Sequence, residues 1–375
     1  QGGITVGAEA LTLSGTGAAG QTGALVNVSD TNTYGGLITL GAASTIASDS
    51  GLLNLTNAGT ITGAGSTLTL AGAGEGTLAS IIGTVGGSLI KTGTGTWTIS
   101  GASTYTGGTT LEQGTLKSGA SNVLSDASAV TVAPSATSGT ATLDLNGFSD
   151  TINSLTIAGA TSSTATIQTG AGTLTLGGNL SYDATNNPNG ASITGKLDLG
   201  AASRTFSIAD SSNATAELTI DAIISGTSVG LTKTGAGVLV LGAANTYNGG
   251  TIVNGGALNV TSAGSLASGS ILTLGSGGTA SFANVGQTLG AVSNANTAAG
   301  SLNFSAVTGT ITLDSLTGAG DTTFASNATV TGQFDTGTAT VAGVGSFGTV
   351  ASGILNLNGA TSSITTLNGS GAVNL

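Results

Sequence analysis

The chain has 375 residues, of which 66 are glycine, 2 are proline and 6% are charged, and its net charge is −11. It contains no cysteine, methionine or histidine, which excludes thiol chemistry, disulfides, imidazole bases and the usual transition-metal ligands. Five basic residues are too few for a nucleic-acid-binding stripe. No apolar run approaches the roughly 20 residues of a membrane helix. With 39% apolar but only 3% aromatic residues, the chain must bury small aliphatic side chains in thin layers.

The predicted elements are short strands, in which two apolar residues stand one apart and a glycine, asparagine or alanine follows. Such period-two alternation is typical of a strand with one buried face, and helical periodicity is missing. In chain order the pattern occurs in LITLG (Leu37–Gly41), LTLAG (Leu68–Gly72), LTLGG (Leu174–Gly178), LDLG (Leu197–Gly200), LTLG (Leu272–Gly275) and LNLNG (Leu355–Gly359).

Two large repeats occupy the middle of the chain. The segment 89–118, LIKTGTGTWTISGASTYTGGTTLEQGTLKS, aligns without a gap with 231–260, LTKTGAGVLVLGAANTYNGGTIVNGGALNV, so that Leu89 corresponds to Leu231. Further along, an insertion near Pro134–Gly139 would place Leu143–Ile157 opposite Thr279–Ser293. Because repeats of this kind stack into one continuous body, we predict a single β-helix over residues 1–375.

Short strands between glycine-rich turns are compatible with a sandwich, a propeller or a solenoid. Sandwiches and barrels need bulky inward residues to fill a core about 10 Å thick, and this chain has few aromatic residues. A parallel β-helix fills its interior with ladders of small aliphatic side chains. The preferred fold class is therefore an all-β, right-handed parallel β-helix (β-solenoid). Coils of about 20 residues that rise about 4.8 Å each would make it an elongated rod on the order of 80 to 90 Å long.

The repeated residues resemble a known family. Leu-x-Lys-Thr-Gly-x-Gly, followed by Thr-Tyr-x-Gly-Gly-Thr and Gly-x-Leu, is similar to the autotransporter-associated β-strand repeat, also called the passenger-associated transport repeat. The match is close over Leu89–Leu116 and Leu231–Leu258. The resemblance implies a secreted β-helix on a bacterial surface, of the type used as an adhesin, an aggregation or biofilm factor, or a stalk.

The two Lys-Thr-Gly-x-Gly turns allow two interpretations. A phosphate-binding loop carries its lysine after the glycines and opens a helix, whereas here the lysine comes first and a strand follows. We therefore expect turns with left-handed glycines, and lysines whose stems cover apolar surface while their ammonium groups reach solvent. The residues concerned are Lys91, Gly93, Gly95, Lys233, Gly235 and Gly237.

The two Thr-Tyr-x-Gly-Gly-Thr segments also allow a functional and a structural interpretation. Their tyrosines could stack on a sugar, but recurrence at one place in a repeat favours corner residues that pack over a coil. The residues concerned are Tyr105, Gly107, Gly108, Tyr247, Gly249 and Gly250.

Carboxylates are the remaining candidates for catalysis, and they are scattered singly along the chain. Glycoside hydrolysis needs two carboxylates about 5 to 9.5 Å apart. The nearest approaches to pairs are Asp144 with Asp150 and Glu217 with Asp221. We predict no enzyme activity, no cofactor and no metal site, since the calcium-binding nonapeptide does not occur. An ice-binding Thr-x-Thr face is not favoured, because such pairs do not recur at constant spacing.

Two functional classes follow from these observations. The first is a non-enzymatic extracellular scaffold in a fibre, matrix or stalk, and the second is an adhesin that binds glycans or other cells. For the first class we expect end-to-end stacking of copies or continuation into a longer chain. We expect an extracellular or cell-surface location after removal of a signal peptide, with no nucleic acid partner and no membrane insertion of this segment.

Overall fold

The computed structural model describes residues 2–325, 327–343, 345–357, 362–367 and 370–374. Every regular element in these ranges is a β-strand, and the strands pair in parallel, which confirms the predicted all-β solenoid. None of the described residues forms a helix long and apolar enough to cross a membrane. The chain divides into two compact units. Unit 1 comprises residues 1–198 with 211–214, and unit 2 comprises residues 199–210 with 215–375.

Unit 1 contains strands β1 to β23. Their bounds are β1 (Thr5–Val6), β2 (Leu11–Gly15), β3 (Leu25–Asn27), β4 (Thr31–Tyr34), β5 (Ile38–Ser48), β6 (Leu52–Leu55), β7 (Thr60–Ile61), β8 (Leu68–Ala71), β9 (Glu75–Leu78), β10 (Ile81–Ile82), β11 (Leu89–Lys91), β12 (Thr96–Ile99), β13 (Thr109–Leu111), β14 (Gly114–Ser118), β15 (Ala129–Val132), β16 (Thr140–Asp144), β17 (Asp150–Ile152), β18 (Ser154–Ile157), β19 (Thr164–Gln168), β20 (Leu174–Leu176), β21 (Leu180–Tyr182), β22 (Ala191–Thr194) and β23 (Lys196–Asp198).

Unit 2 contains strands β24 to β38. Their bounds are β24 (Arg204–Ile208), β25 (Leu218–Ile220), β26 (Ile223–Ser225), β27 (Leu231–Thr234), β28 (Val238–Leu241), β29 (Thr251–Val260), β30 (Leu272–Phe282), β31 (Gln287–Asn294), β32 (Leu302–Phe304), β33 (Ile311–Thr317), β34 (Thr322–Phe324), β35 (Ala328–Val341), β36 (Gly345–Leu357), β37 (Ser363–Leu367) and β38 (Ala372–Asn374).

In unit 1 successive strands of the chain belong in turn to three stacks of parallel strands. Sheet 1 contains β8, β11, β13, β15, β18 and β21, sheet 2 contains β9, β12, β14, β16, β19 and β22, and sheet 3 contains β17, β20 and β23. One coil runs from Leu89 to its register partner Thr109, and a longer one runs from Leu155 to its register partner Leu180. The length of a coil therefore varies along the unit.

The alternation in each strand determines which side chains enter the core. In β12, Trp97 and Ile99 are buried and the two threonines between and before them are half-buried on the outer side. Each buried aliphatic or aromatic side chain stabilises the fold by about 1.5–3 kcal/mol relative to an exposed one. Because the strands are in register, the inward residues of successive coils form continuous columns.

Outward hydroxyl groups also line up in columns. On sheet 2, one column contains Thr96, Thr115, Thr142, Thr166 and Ser192, which are successive register partners. Their sequence spacing is irregular because the corners between strands differ in length. A search for constant spacing in the sequence could therefore not find this column.

Unit 2 has an aromatic stack, which the composition did not predict. The rings of Phe282 and Phe304 are stacked with centroids 4.7 Å apart, and those of Phe304 and Phe324 are 5.2 Å apart. All three side chains are buried. The prediction of a core built from small aliphatic side chains alone is wrong here, because parallel register places these widely separated phenylalanines on adjacent coils.

The register also corrects the sequence alignment after the insertion. Leu116 pairs with Leu143, and Leu258, its counterpart in the second repeat, pairs with Ala280. Leu143 is therefore equivalent to Ala280 and not to Thr279, which faces outward. A one-residue error matters because a slip of one residue exchanges the buried and exposed faces of a strand.

Candidate functional site

Lys91 of the first repeat lies inside the coil. It occupies the inward column of sheet 1 between its register partners Leu70 and Leu111, and its side chain is fully buried. The Nζ atom donates to the backbone oxygens of Thr92 at 2.7 Å, Gly93 at 2.8 Å and Gln113 at 3.0 Å. Three carbonyl oxygens thus match the three donors of the ammonium group.

Lys233 of the second repeat has the same arrangement. Its Nζ atom donates to the backbone oxygens of Thr234 at 3.5 Å, Gly235 at 3.1 Å and Gly255 at 2.8 Å. Each of these three acceptors occupies the position that aligns with its counterpart in the first repeat. We call this group of three carbonyl oxygens the lysine cage.

The expectation that both ammonium groups reach solvent is wrong, because Lys91 and Lys233 are fully buried. The turn after each lysine and the next coil supply the acceptors that make burial tolerable. Burial lowers the pKa of Lys91 to about 8. Burial likewise lowers the pKa of Lys233 to about 8, and the negative charge of Glu217 opposes this shift.

The glycines after the lysines differ from one another. Gly93 and Gly235 have φ values of 69° and 79°, as expected for left-handed turn positions. Gly95 and Gly237 do not have positive φ, so the prediction of left-handed glycines is wrong for them. They are needed for close approach, since a Cβ on Gly95 would lie 1.9 Å from the Gly74 oxygen.

The two repeat tyrosines lie at a buried corner of the coil. The Tyr105 hydroxyl is 2.5 Å from Oγ1 of Thr109, and the Tyr247 hydroxyl is 2.7 Å from Oγ1 of Thr251. Neither side chain is exposed, so neither ring can stack on a sugar in this conformation. Burial raises the pKa of each tyrosine to about 12, and the threonine hydrogen bonds oppose the shift.

Of the two glycine positions in the tyrosine segments, one differs between the repeats and the other does not. Gly250 has a φ of 92°, whereas Gly108, its counterpart, does not have positive φ. A Cβ on Gly107 would lie 2.4 Å from the Gly87 oxygen, and one on Gly249 would lie 2.3 Å from the backbone carbon of Val229. Both positions therefore exclude a side chain because the neighbouring coil is too close.

Asp150, which the sequence suggests only as half of a catalytic pair, is a buried carboxylate. Its Oδ2 atom accepts from the backbone N–H groups of Val123 at 3.0 Å and Leu124 at 3.1 Å. Burial raises its pKa to about 6, against the lowering effect of these backbone hydrogen bonds. In the second repeat Gln287 has the equivalent place, because it accepts from the Leu266 N–H at 3.1 Å.

Neither suspected carboxylate pair shares one environment. Asp144 faces outward from β16, whereas Asp150 faces inward from β17. Glu217 is buried and accepts from the Val238 N–H, whereas Asp221 is exposed. Among the described residues no group of three or more carboxylates lies close enough to hold a metal ion.

The positive charges are distributed unevenly between core and surface. Arg204 is buried like the two caged lysines, and its Nε atom donates to the Leu199 oxygen at 2.7 Å. Of the five basic residues, Lys117 and Lys196 are the two that reach the surface. Since Asp150 and Glu217 are also buried, the surface keeps nearly the whole of the net negative charge.

The geometry defines a class of protein, a parallel β-solenoid whose repeat motif packs within the coil. The family model described as passenger-associated-transport-repeat matches residues 89–117, 167–186 and 231–260. These three segments are similar to that repeat, and the resemblance seen in the sequence is confirmed.

One curated relative also matches part of the chain. It is the adhesin BmaC autotransporter of Brucella suis biovar 1 (strain 1330), with 35% identity over 117 residues. The match covers 31% of this chain and 3% of that relative's length. No solved structure matches the chain.

The middle match, residues 167–186, is not among the two repeats predicted from the sequence. Gln168 stands where the other copies have lysine, although Thr169-Gly170-Ala171-Gly172 preserves the turn pattern and could have signalled the repeat. In the structure this copy starts on a different sheet of the coil from the first copy. It begins in β19 of sheet 2, whereas the first copy begins in β11 of sheet 1.

Proposed function

We propose that this chain is a non-enzymatic segment of a secreted passenger, and that its β-solenoid units act as a scaffold in a surface fibre, matrix or stalk. The lysine cage is the observation that carries this proposal. In both repeats the most distinctive polar residue of the motif is fully buried and satisfied by backbone oxygens. The motif chemistry thus stabilises the coil and leaves the outer faces available.

The match to a passenger repeat supports an extracellular or cell-surface location. A scaffold of this kind would extend by end-to-end stacking of copies or by further coils of a longer chain, since parallel strands leave unpaired edges at each end of a solenoid.

Negative-stain microscopy of the purified chain over a range of concentrations tests the fibre role. Uniform filaments that lengthen with concentration are expected for a fibre subunit. Single particles of fixed size at every concentration would contradict self-assembly. The stalk would then be the form of scaffold to test, by display of the chain on a cell surface. Particle size by light scattering in the same samples is the control against drying artefacts.

A second candidate is an adhesin, and the named relative is the observation that favours it. Beads coated with the chain should then attach to cells more than beads coated with an unrelated acidic protein. Equal attachment of both bead types would contradict the adhesin.

A further inference from the structure

One outward row on sheet 2 of unit 1 differs in chemistry from the hydroxyl column beside it. It contains Lys117, Asp144, Gln168 and Thr194, which are successive register partners in β14, β16, β19 and β22. All four side chains are half-buried. Because neighbouring strands lie about 4.8 Å apart, the row offers one polar group per coil at that interval.

An open groove runs beside this row. Its lining includes Asp144, Gln168 and Thr194 of the row, together with the corner residues that follow β16 and β19, which are Asn146, Gly147, Gly170 and Ala171. Gly147 and Gly170 have φ values of 86° and 62°. A Cβ on Gly170 would lie 3.0 Å from the Gly147 nitrogen. The coils approach closely at these two glycines, so the corner carries only the side chains of Asn146 and Ala171, and the groove is open.

The row is electrically balanced. Nζ of Lys117 is 3.9 Å from Oδ2 of Asp144, and the other two members are an amide and a hydroxyl. The ammonium group of the row donates hydrogen bonds, the carboxylate accepts them, and the amide and the hydroxyl can each donate and accept. Lys196, the second surface cation, follows Thr194 by two positions and donates to the Ala171 oxygen at 3.1 Å.

We propose that this groove binds an extended, uncharged polysaccharide, with successive sugars alongside successive coils. Sugar hydroxyls both donate and accept, as the row does. The net charge of −11 opposes an anionic chain, and an apolar ligand would leave the polar row without partners. The inference rests on the adhesin candidate of the proposed function and specifies its binding surface.

Affinity electrophoresis of the purified full chain tests this site. The probes are the uncharged polymers galactomannan, mixed-linkage β-glucan, arabinoxylan and dextran, and the acidic polymers alginate and polygalacturonate. At least one uncharged polymer should retard the chain, and added salt should not abolish the effect, because salt screens only charge interactions.

Two variants should weaken this binding about tenfold or more. Gln168→Ala removes the central amide of the row, and Ala171→Trp fills the groove while it leaves every polar side chain in place. Thr131→Ala, an outward position on sheet 1, is the matched control and should bind like the parent chain. Unchanged circular dichroism and melting of all variants show that the fold is intact.

Three results would overturn the proposal: no retardation by any uncharged polymer, retardation by acidic polymers alone, or equal retardation of parent and groove variants. The adhesin can fail separately. If parent and Ala171→Trp beads attach equally to cells and the two chains are also retarded equally by the polymers, the adhesin proposal holds and the groove proposal fails. If no beads attach to cells but the parent chain binds polymer and the variants do not, the groove proposal holds and the adhesin proposal fails.

Discussion

Gly76 and Trp97 are register partners on adjacent coils of sheet 2, and the indole ring of Trp97 covers the position where a side chain on Gly76 would lie. A Cβ on Gly76 would come within 2.5 Å of the ring atom Cδ2. In the second repeat the equivalent partners are Leu218 and Leu239. One large and one absent side chain in the first repeat thus correspond to two medium side chains in the second.

This relationship predicts strong coupling between the two positions. Gly76→Ala should lower the free energy of unfolding by about 1–3 kcal/mol because it overpacks the core. Trp97→Leu should lower it by about 2–4 kcal/mol because it leaves a cavity. The double variant Gly76→Leu/Trp97→Leu reproduces the second repeat and should recover most of the loss. Urea unfolding followed by circular dichroism measures all three, and additive losses would contradict the coupling.

The buried tyrosine corner predicts an effect on stability and none on sugar binding. Tyr105→Phe removes the hydroxyl that meets Thr109, whose Oγ1 is also 3.0 Å from Oγ of Ser128. The loss should be about 1 kcal/mol. Tyr247→Phe in the second repeat is the matched variant. A change in polysaccharide retardation without a change in melting would show that the ring is accessible, against its burial.

Asp150 predicts a dependence of stability on acidity. Its folded pKa of about 6 lies above the usual value of 3.8, so the folded state binds more protons between these values. Stability from this group is therefore greatest below about pH 4 and is lost as the pH rises through 6, by roughly 2–3 kcal/mol in total. Asp150→Asn should remove this dependence of the free energy of unfolding on pH. Asp144→Asn, on the outer face, is the control and should not remove it.

The sequence was sufficient to predict the strands and their stacking. LTLAG at Leu68–Gly72 shows its buried face by alternation alone, and it forms β8. The Lys-Thr-Gly-x-Gly repeat located two related coils because a solenoid uses similar turns at similar places. These features depend on residues that are close together in the sequence.

The lysine cage could not be predicted in the same way. One of its acceptors is the Gln113 oxygen, which is distant from Lys91 in the sequence, and only the register between coils brings it within reach. The usual behaviour of a lysine beside an apolar run is to extend to solvent. The polar row with Asp144 and Gln168 could not be predicted either, because unequal coil lengths separate its members irregularly in the sequence.

The two lysine cages predict that mild alkali stabilises the protein. Their pKa values of about 8 lie below the usual value of 10.5, so between these values the folded state binds fewer protons than the unfolded state. The free energy of unfolding therefore rises with pH over this window. The gain should be about 1–2 kcal/mol for each lysine once screening by solvent is allowed for.

Urea unfolding at pH 8 and pH 10 measures this gain, and the double variant Lys91→Met/Lys233→Met should lose it. Lys117→Met, on the surface, is the matched control and should keep it. Above pH 10 the gain should reverse, since the two buried tyrosines have pKa values of about 12 and the folded state then binds more protons. A parent profile that is flat from pH 8 to pH 10, or one that the double variant leaves unchanged, would show that the caged ammonium groups are not desolvated.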